Sequence, residues 1–323
     1  MLKVYYHHPE KHAQNSDYLR SLLHENIELL VGDDVDEFDI IIGAQFTDEV
    51  LERSARLKHI LMPWVGVRPD LITQLQKFPH LTLHNCHWSG DIIAEFMIGM
   101  LFTAAKNIIP PDRDMRRGDW GVWDSPAVQL RGKHALVLGY GSIGKKVAQL
   151  ARMIGMTVSV LRRSVSEAYE EDGLTIQPRA ALHALLPSAD CLLITLPLTA
   201  ETEGLIGEAE LALMHEHSIL VNVGRGKIVD EKALYEALRD RQIHSAALDV
   251  WYNYPSGDAA RPMTFPSNYP IHQLDNVVMS PHHSAAVIDQ EHDRARAREL
   301  ARLLNVAAEG QPLPSQVDMS LGY

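Results

Sequence analysis

Cysteine is scarce in this chain: Cys86 and Cys191 are the only two in 323 residues, and neither has a CxxC neighbour. That excludes a disulfide framework and a zinc knuckle, and it fits a reducing, cytoplasmic setting. Basic residues are also short, 30 Lys and Arg against 42 Asp and Glu, for a formal net charge of −12. An acidic surface repels phosphate backbones and anionic lipid, so neither nucleic acid nor membrane is an expected partner. Long uninterrupted apolar runs are missing as well. The start, MLKVYYHHPE, has no apolar signal core, and the most apolar stretch, 92–109, is broken by Glu95 and Lys106, so it reads as a buried helix. The expected partner is a small molecule, with any anion on it met by local basic groups.

What is present is an alternation of short β-branched or apolar runs with helical segments. Runs at 4–7, 38–43, 59–62 and 81–84 precede a long predicted helix at 89–107, stopped by Pro110 and Pro111. Segment 112–132, rich in Arg, Asp, Trp and Gly, reads as a crossover. A second series follows in HALVLG, TVSVL, CLLITL, SILVNV, SAALDV and NVVMS, and the chain turns helical again over 287–309. The expected fold class is α/β, with two Rossmann-like or flavodoxin-like domains of parallel sheet and a cleft between them. Residues 1–99 and 288–323 are expected to form a discontinuous substrate-binding domain, and 100–287 a dinucleotide-binding domain.

The dinucleotide assignment rests on Gly139, Gly141 and Gly144 in LVLGYGSIGKKVAQLARMIGM, with Tyr140, Ser142 and Ile143 between them. The first glycine ends an apolar strand and the third opens a helix, the context in which this spacing lets backbone approach a pyrophosphate at a helix N-terminus. NAD sites place a carboxylate at the end of the second strand for the ribose hydroxyls, whereas here the chain reads Leu161, Arg162, Arg163, Ser164. Guanidinium groups and a hydroxyl suit a 2′-phosphate, so NADP is the preferred cofactor and NAD the second choice.

Three later segments, LPLTAETEGLI, VNVGRGKIVDEKAL and SPHHSA, together with the glycine motif, resemble the D-isomer-specific 2-hydroxyacid dehydrogenase family, glyoxylate/hydroxypyruvate reductases among them. The resemblance covers nearly the whole chain, including the GV at Gly66 and the AE pair Ala94–Glu95. It implies hydride transfer between a nicotinamide cofactor and a D-2-hydroxy or 2-oxo acid. Arg225 takes the position whose planar fork grips carboxylate and carbonyl oxygens, and His282 that of the acid/base, with a near-neutral pKa suited to proton exchange. By the same resemblance Val65 and Gly66 receive the substrate carboxylate on their amides. Leu196, Pro197 and Thr202 line the adenine side, Val223 and Gly224 the nicotinamide ribose, and Asp249 holds the carboxamide. Trp64, Trp88 and Trp251 are candidates to shape the pocket, and a homodimer is implied.

One position departs from the family pattern. LDVWYNYP carries Tyr254 where the family has Glu before the proline, and a phenol can fix the imidazole's tautomer without stabilising its charged form. A carboxylate from 252–270, for instance Asp258, is the alternative partner. The histidines, His215, His217 and His283 included, lack a third ligand at metal spacing, so no metal is expected. Two other readings are a cofactor-sensing corepressor-like protein, for which a proton donor has no evident use, and a methyltransferase, which leaves the RG and PH motifs unexplained.

Overall fold

The computed structural model describes residues 1–7, 16–32, 35–121, 127–286 and 290–323. The chain divides into two compact units, Met1–Ser89 with Ala286–Tyr323, and Gly90–Ala285. It opens with β1 (Leu2–Tyr6), α1 (Ser16–Leu22), β2 (Ile27–Val31), β3 (Ile40–Ile42), α2 (Asp48–Glu52), β4 (His59–Met62), α3 (Pro69–Leu75) and β5 (Thr82–Asn85). These five strands form one parallel sheet in the order β2-β1-β3-β4-β5. Ile40, Ile41 and Ile42 are all fully buried, as expected of a central parallel strand covered on both faces.

The second unit contains α4 (Gly90–Ala105), α5 (Ile109–Met115), β6 (His134–Leu138), α6 (Ser142–Met153), β7 (Thr157–Arg162), β8 (Tyr169–Glu171) and β9 (Leu174–Pro178). It continues through α7 (Leu182–Leu185), β10 (Cys191–Ile194), α8 (Glu208–Leu213), β11 (Ile219–Asn222), α9 (Glu231–Arg239), β12 (Ser245–Leu248) and β13 (Val277–Met279). The chain then returns to the first unit as α10 (Gln290–Ala308), which packs on α1. The eight strands run β13-β12-β11-β10-β6-β7-β9-β8, all parallel except for the last pair. The strand order reverses direction between β6 and β10, and ligands of such sheets bind outside the carboxyl ends of the strands at that switch.

Several details differ from the sequence expectation. The division falls after Ser89 instead of 99, because α4 packs on α6, β11 and β12 along its length and belongs to the second sheet's core. Its end comes at Ala105, with Asn107 in the left-handed region (φ 48°), and the two prolines open α5, where their missing amides cost nothing. The start of the presumed crossover is therefore helical. Strand β2 was not expected, and its burial explains why: only Leu29 is buried, so this edge strand shows no clear period-2 pattern. The hairpin β8–β9 was not expected either. The first three residues of the predicted last helix, 287–289, lie outside the described residues. No single helix among the described residues is long and apolar enough to cross a membrane.

Candidate active site

The glycine loop follows β6. Gly139 has φ +102°, which an L side chain rarely adopts, and its amide bonds Leu161 O at 3.0 Å, setting the loop beside the end of β7. A Cβ on Gly144 would stand 2.1 Å from Gly139 O, so only glycine lets α6 approach its own strand this closely. At Gly141, the residue before α6, an added Cβ would meet nothing within 4 Å, and no side chain caps the helix. First-turn amides at the positive end of a helix dipole, without a side-chain cap and over a loop with no Cβ in the way, fit a pyrophosphate. Tyr140 and Ile143 pack on the second unit's core, and Ser142 begins the helix.

Arg162, Arg163 and Ser164 are exposed at the carboxyl end of β7. A carboxylate nonetheless reaches this end of the sheet from the unexpected hairpin. Glu171 Oε1 accepts from Lys145 Nζ at 3.1 Å and from the Tyr140 hydroxyl at 3.3 Å, and Oε2 accepts from Tyr169 Oη at 3.3 Å. The turn Asp172–Gly173 has φ 52° and 72°, the two-positive-φ turn that Asp-Gly favours, and this dipeptide was the signal for the hairpin.

Beyond β10, Leu196 and Pro197 are half-buried, and Leu196 O lies 2.6 Å from a Cβ built on Gly224, so glycine there lets the loops after β10 and β11 touch backbone to backbone. Val223 is buried. Thr202, expected on the adenine side, is 7% exposed, and its hydroxyl closes a turn instead, donating to Pro197 O at 2.7 Å and accepting from Thr199 N at 2.8 Å.

Arg225 follows on the loop after β11. Asn222 holds this loop from both sides, accepting from Gly224 N at 2.9 Å and donating to Arg225 O at 3.0 Å. The half-buried guanidinium donates to Gly224 O at 2.8 Å, and no carboxylate among the described residues pairs with it. Burial lowers its pKa, and a structural ion pair does not account for its presence.

His282 sits in the loop after β13 with φ 57°, a conformation uncommon outside glycine but more open to histidine than to most residues. Tyr254 Oη lies 2.9 Å from its Nδ1 and also accepts the Trp251 amide at 3.1 Å. With the amide on one lone pair, the phenol keeps its proton and a second lone pair for Nδ1, so it can bond the ring either as donor or as acceptor. Displacement of water by the surrounding protein lowers the His282 pKa, and the Arg225 charge lowers it further, against a smaller pull upward from Asp249. Arg225 and His282 thus feel one another. Asp258, the alternative partner, is a highly exposed residue paired with Arg261 at 3.0 Å.

The loop's course is set by Asp249, which is fully buried. Its Oδ1 accepts from the Ser280 hydroxyl at 2.5 Å and from His283 N at 2.9 Å, and its Oδ2 accepts from Ser284 N at 3.1 Å. These bonds anchor the loop to the end of β12. Trp251 is core, donating to Ser280 O at 2.7 Å, and the His283 ring meets Ser280 Oγ and the edge of Phe96, so it points away from the pair made by its neighbour.

In the first unit, Val65 and Gly66 follow β4. Asn85 Nδ2 donates to Val65 O at 2.8 Å and Trp88 Nε1 to Pro63 O at 2.7 Å, while neither the Val65 nor the Gly66 amide has an acceptor among the described residues. Trp64 is 37% exposed.

A doubly wound sheet, a glycine cradle at its switch point, and, after β11 and β13 on either side of β12, an arginine with no carboxylate partner among the described residues and a phenol-bonded histidine have the form of a dinucleotide-binding domain with a proton-donor site. Residues 98–284 match the family model described as D-isomer specific 2-hydroxyacid dehydrogenase, NAD binding domain, and the chain belongs to that family. It is similar to a glyoxylate reductase of Korarchaeum cryptofilum, 34% identical over 278 residues, which cover 84% of this chain and 80% of that protein. A glyoxylate reductase of Aeropyrum pernix is 38% identical over 235 residues, 71% of this chain and 66% of that one. A D-3-phosphoglycerate dehydrogenase of Methanocaldococcus jannaschii is 29% identical over 88% of this chain, which spans 52% of that relative's length. In fold, the chain resembles a D-isomer specific 2-hydroxyacid dehydrogenase of Xanthobacter autotrophicus solved with NADPH and MES, with a TM-score of 0.81 and 23% identity over 100% of this chain and 99% of that one.

The glycines make the first prediction. Gly144→Ala forces backbone apart and should cost about 2–3 kcal/mol, whereas Gly141→Ala should stay within about 0.5 kcal/mol. Urea unfolding midpoints of the two variants check this, and equal midpoints would refute the close-approach argument.

Proposed function

We propose that the chain reduces a short 2-oxo acid to the D-2-hydroxy acid, with NADPH preferred over NADH. The observation that carries the reading is the pairing of Tyr254 with His282 beside a guanidinium that has no carboxylate partner among the described residues. The nicotinamide cofactor, when bound, supplies the hydride. Gly139, Gly141, Gly144 and the open first turn of α6 would hold its pyrophosphate, with Leu196, Pro197, Val223 and Gly224 along its length. Arg162, Arg163 and Ser164 would take the 2′-phosphate.

Arg225 would clamp the substrate carboxylate and carbonyl oxygen, its missing counter-charge being supplied by substrate, and the Val65 and Gly66 amides would donate to the carboxylate. His282 would give the proton from Nε2 as the alkoxide forms. Tyr254 positions the ring and can bond Nδ1 in either charge state, donating to the neutral ring and accepting from the protonated one, but it brings no negative charge. Small 2-oxo acids such as glyoxylate and hydroxypyruvate fit a clamp that reads little beyond the oxo-acid end, and the glyoxylate reductase relatives support that class. Homodimer formation and a cytoplasmic location belong to the same reading.

The test is oxidation of NADPH and of NADH against a panel of 2-oxo acids. Saturable turnover supports the reading, and tight cofactor binding without turnover would favour a sensor. Arg225→Lys replaces a bidentate fork with a point charge and should lower kcat/KM about 100-fold, with a fold intact by circular dichroism. The pH profile gives a further check. Reduction needs His282 protonated, and its folded pKa lies below the ordinary ~6.5, so the rate should fall as pH rises on the acid side of that value. Tyr254→Glu restores a counter-charge and should move this limb alkaline by about one unit. A wild-type rate that held well above neutrality, or a limb unmoved in Tyr254→Glu, would overturn the assigned roles.

A further inference from the structure

Resting on the NADP(H) reading above, we infer that Glu171 sets cofactor selectivity: it holds Lys145 away from an incoming 2′-phosphate and places a negative charge near Arg162, tempering the preference for the phosphorylated cofactor. Sequence alone put only positive charge at this end of the sheet. In the structure the end of β7, the glycine loop and the first turns of α6 meet the hairpin, and the meeting point is one carboxylate. Lys145 follows Gly144 directly, and its Nζ is 3.1 Å from Glu171 Oε1, while Tyr140, inside the glycine motif, reaches the same oxygen at 3.3 Å. Tyr169 links the other oxygen, at 3.3 Å, to Arg162 Nη1, at 3.4 Å. The hairpin is fixed rather than trailing, since Arg152 of α6 also donates to Asp172 O.

The ionised states follow from the contacts. The Lys145 ammonium keeps the Glu171 carboxyl below its ordinary range, and the carboxylate in turn raises the Lys145 pKa, so both remain charged across the neutral range. The pair is a third to a half exposed, which makes it breakable: side-chain exposure is 45% for Lys145 and 33% for Glu171. An exposed ion pair contributes little to stability and is easily exchanged for a better partner. A phosphate dianion is a better partner for Lys145 than a carboxylate, but Glu171 stays close and opposes it. The ribose diol of NAD(H) carries no such charge and meets a hydrogen-bond acceptor instead.

The two halves of the pair therefore predict opposite signs. Glu171→Gln frees Lys145 and removes the opposing charge, so the ratio of NADPH to NADH affinity should rise about tenfold at low salt and shrink toward wild type as salt is raised. Lys145→Gln uncovers the carboxylate, and the ratio should fall by a similar factor. Dissociation constants for NADPH and NADH, from quenching of intrinsic tryptophan fluorescence on the purified full chain, give the readout without turnover. A pair that only braces the hairpin would move both variants the same way or leave the ratio unchanged, and either result overturns the inference. Failure of the underlying reading looks different: the wild-type chain would bind neither cofactor, or Arg162→Ala with Arg163→Ala would leave NADPH affinity untouched.

Discussion

The buried carboxylate of Asp249 is the constraint on which the reactive end of the second unit depends. A polar group with no exposure to water must be met by hydrogen bonds, and here the Ser280 hydroxyl and two successive amides meet it. Satisfying Asp249 fixes the direction of the backbone at 283 and 284, and His282 must then turn through the left-handed region to join β13 to that anchor. The orientation of the acid/base candidate is thus decided one residue away from it. Trp251 adds a second tie by holding Ser280 O, and its amide positions the phenol that faces His282. One carboxylate and one tryptophan convert a three-residue strand end into a rigid mount, which preorganised proton transfer requires.

The same economy appears at Arg225. Asn222 closes the loop on itself, and glycines on either side of the arginine allow what no other residue could: a Cβ at Gly226 would lie 2.4 Å from Trp251 O, as one at Gly224 would crowd Leu196 O. The backbone is tightly packed, and the guanidinium, bonded to Gly224 O, faces no carboxylate among the described residues. Its charge lowers the His282 pKa, which favours the neutral imidazole until a substrate carboxylate arrives. An anion between the two would reverse that effect. In the proposed reaction, binding and proton affinity would be coupled through this pair, a substrate carboxylate standing in for the counter-charge that Glu provides in the family pattern.

Much of this was legible in the sequence because it lives in local patterns. Strands β6, β10, β11 and β12 are short apolar runs with buried residues throughout or nearly so, β7 is buried between its two ends, and the glycine motif is defined by spacing within one turn. The Tyr254 substitution could be seen only because a motif supplied the expected residue. What was not legible depends on partners distant in sequence. Asp249 looks like a site residue from its motif, but its anchoring role appears only when Ser280, His283 and Ser284 are brought to it. Thr202 is polar and lies in a motif, yet its hydroxyl serves a turn. Strand β2 is hidden by edge exposure, and the β8–β9 hairpin, marked by Asp172–Gly173, is hidden because β9 is a single short alternation, LTIQ, and its partner YEE carries none.

That hairpin shows why charge at a binding site cannot be read from the strand that forms it. Arg162, Arg163 and Ser164 describe a site open to a 2′-phosphate, and as residues of one strand end they are unambiguous. The field at that point is the sum over every element that reaches it, and Glu171 arrives from further along the chain, on an edge strand, to pair with a lysine of the glycine helix. Because Coulomb interactions fall off slowly at a partly exposed surface, one carboxylate near Arg162 weighs against it even without touching it. Edge hairpins exchange residues more freely than the central strands that carry the glycine turn. Selectivity between two cofactors that differ by one phosphate can therefore be tuned at the edge of the sheet, while the glycine cradle and the Arg225 and His282 loops stay as packing requires.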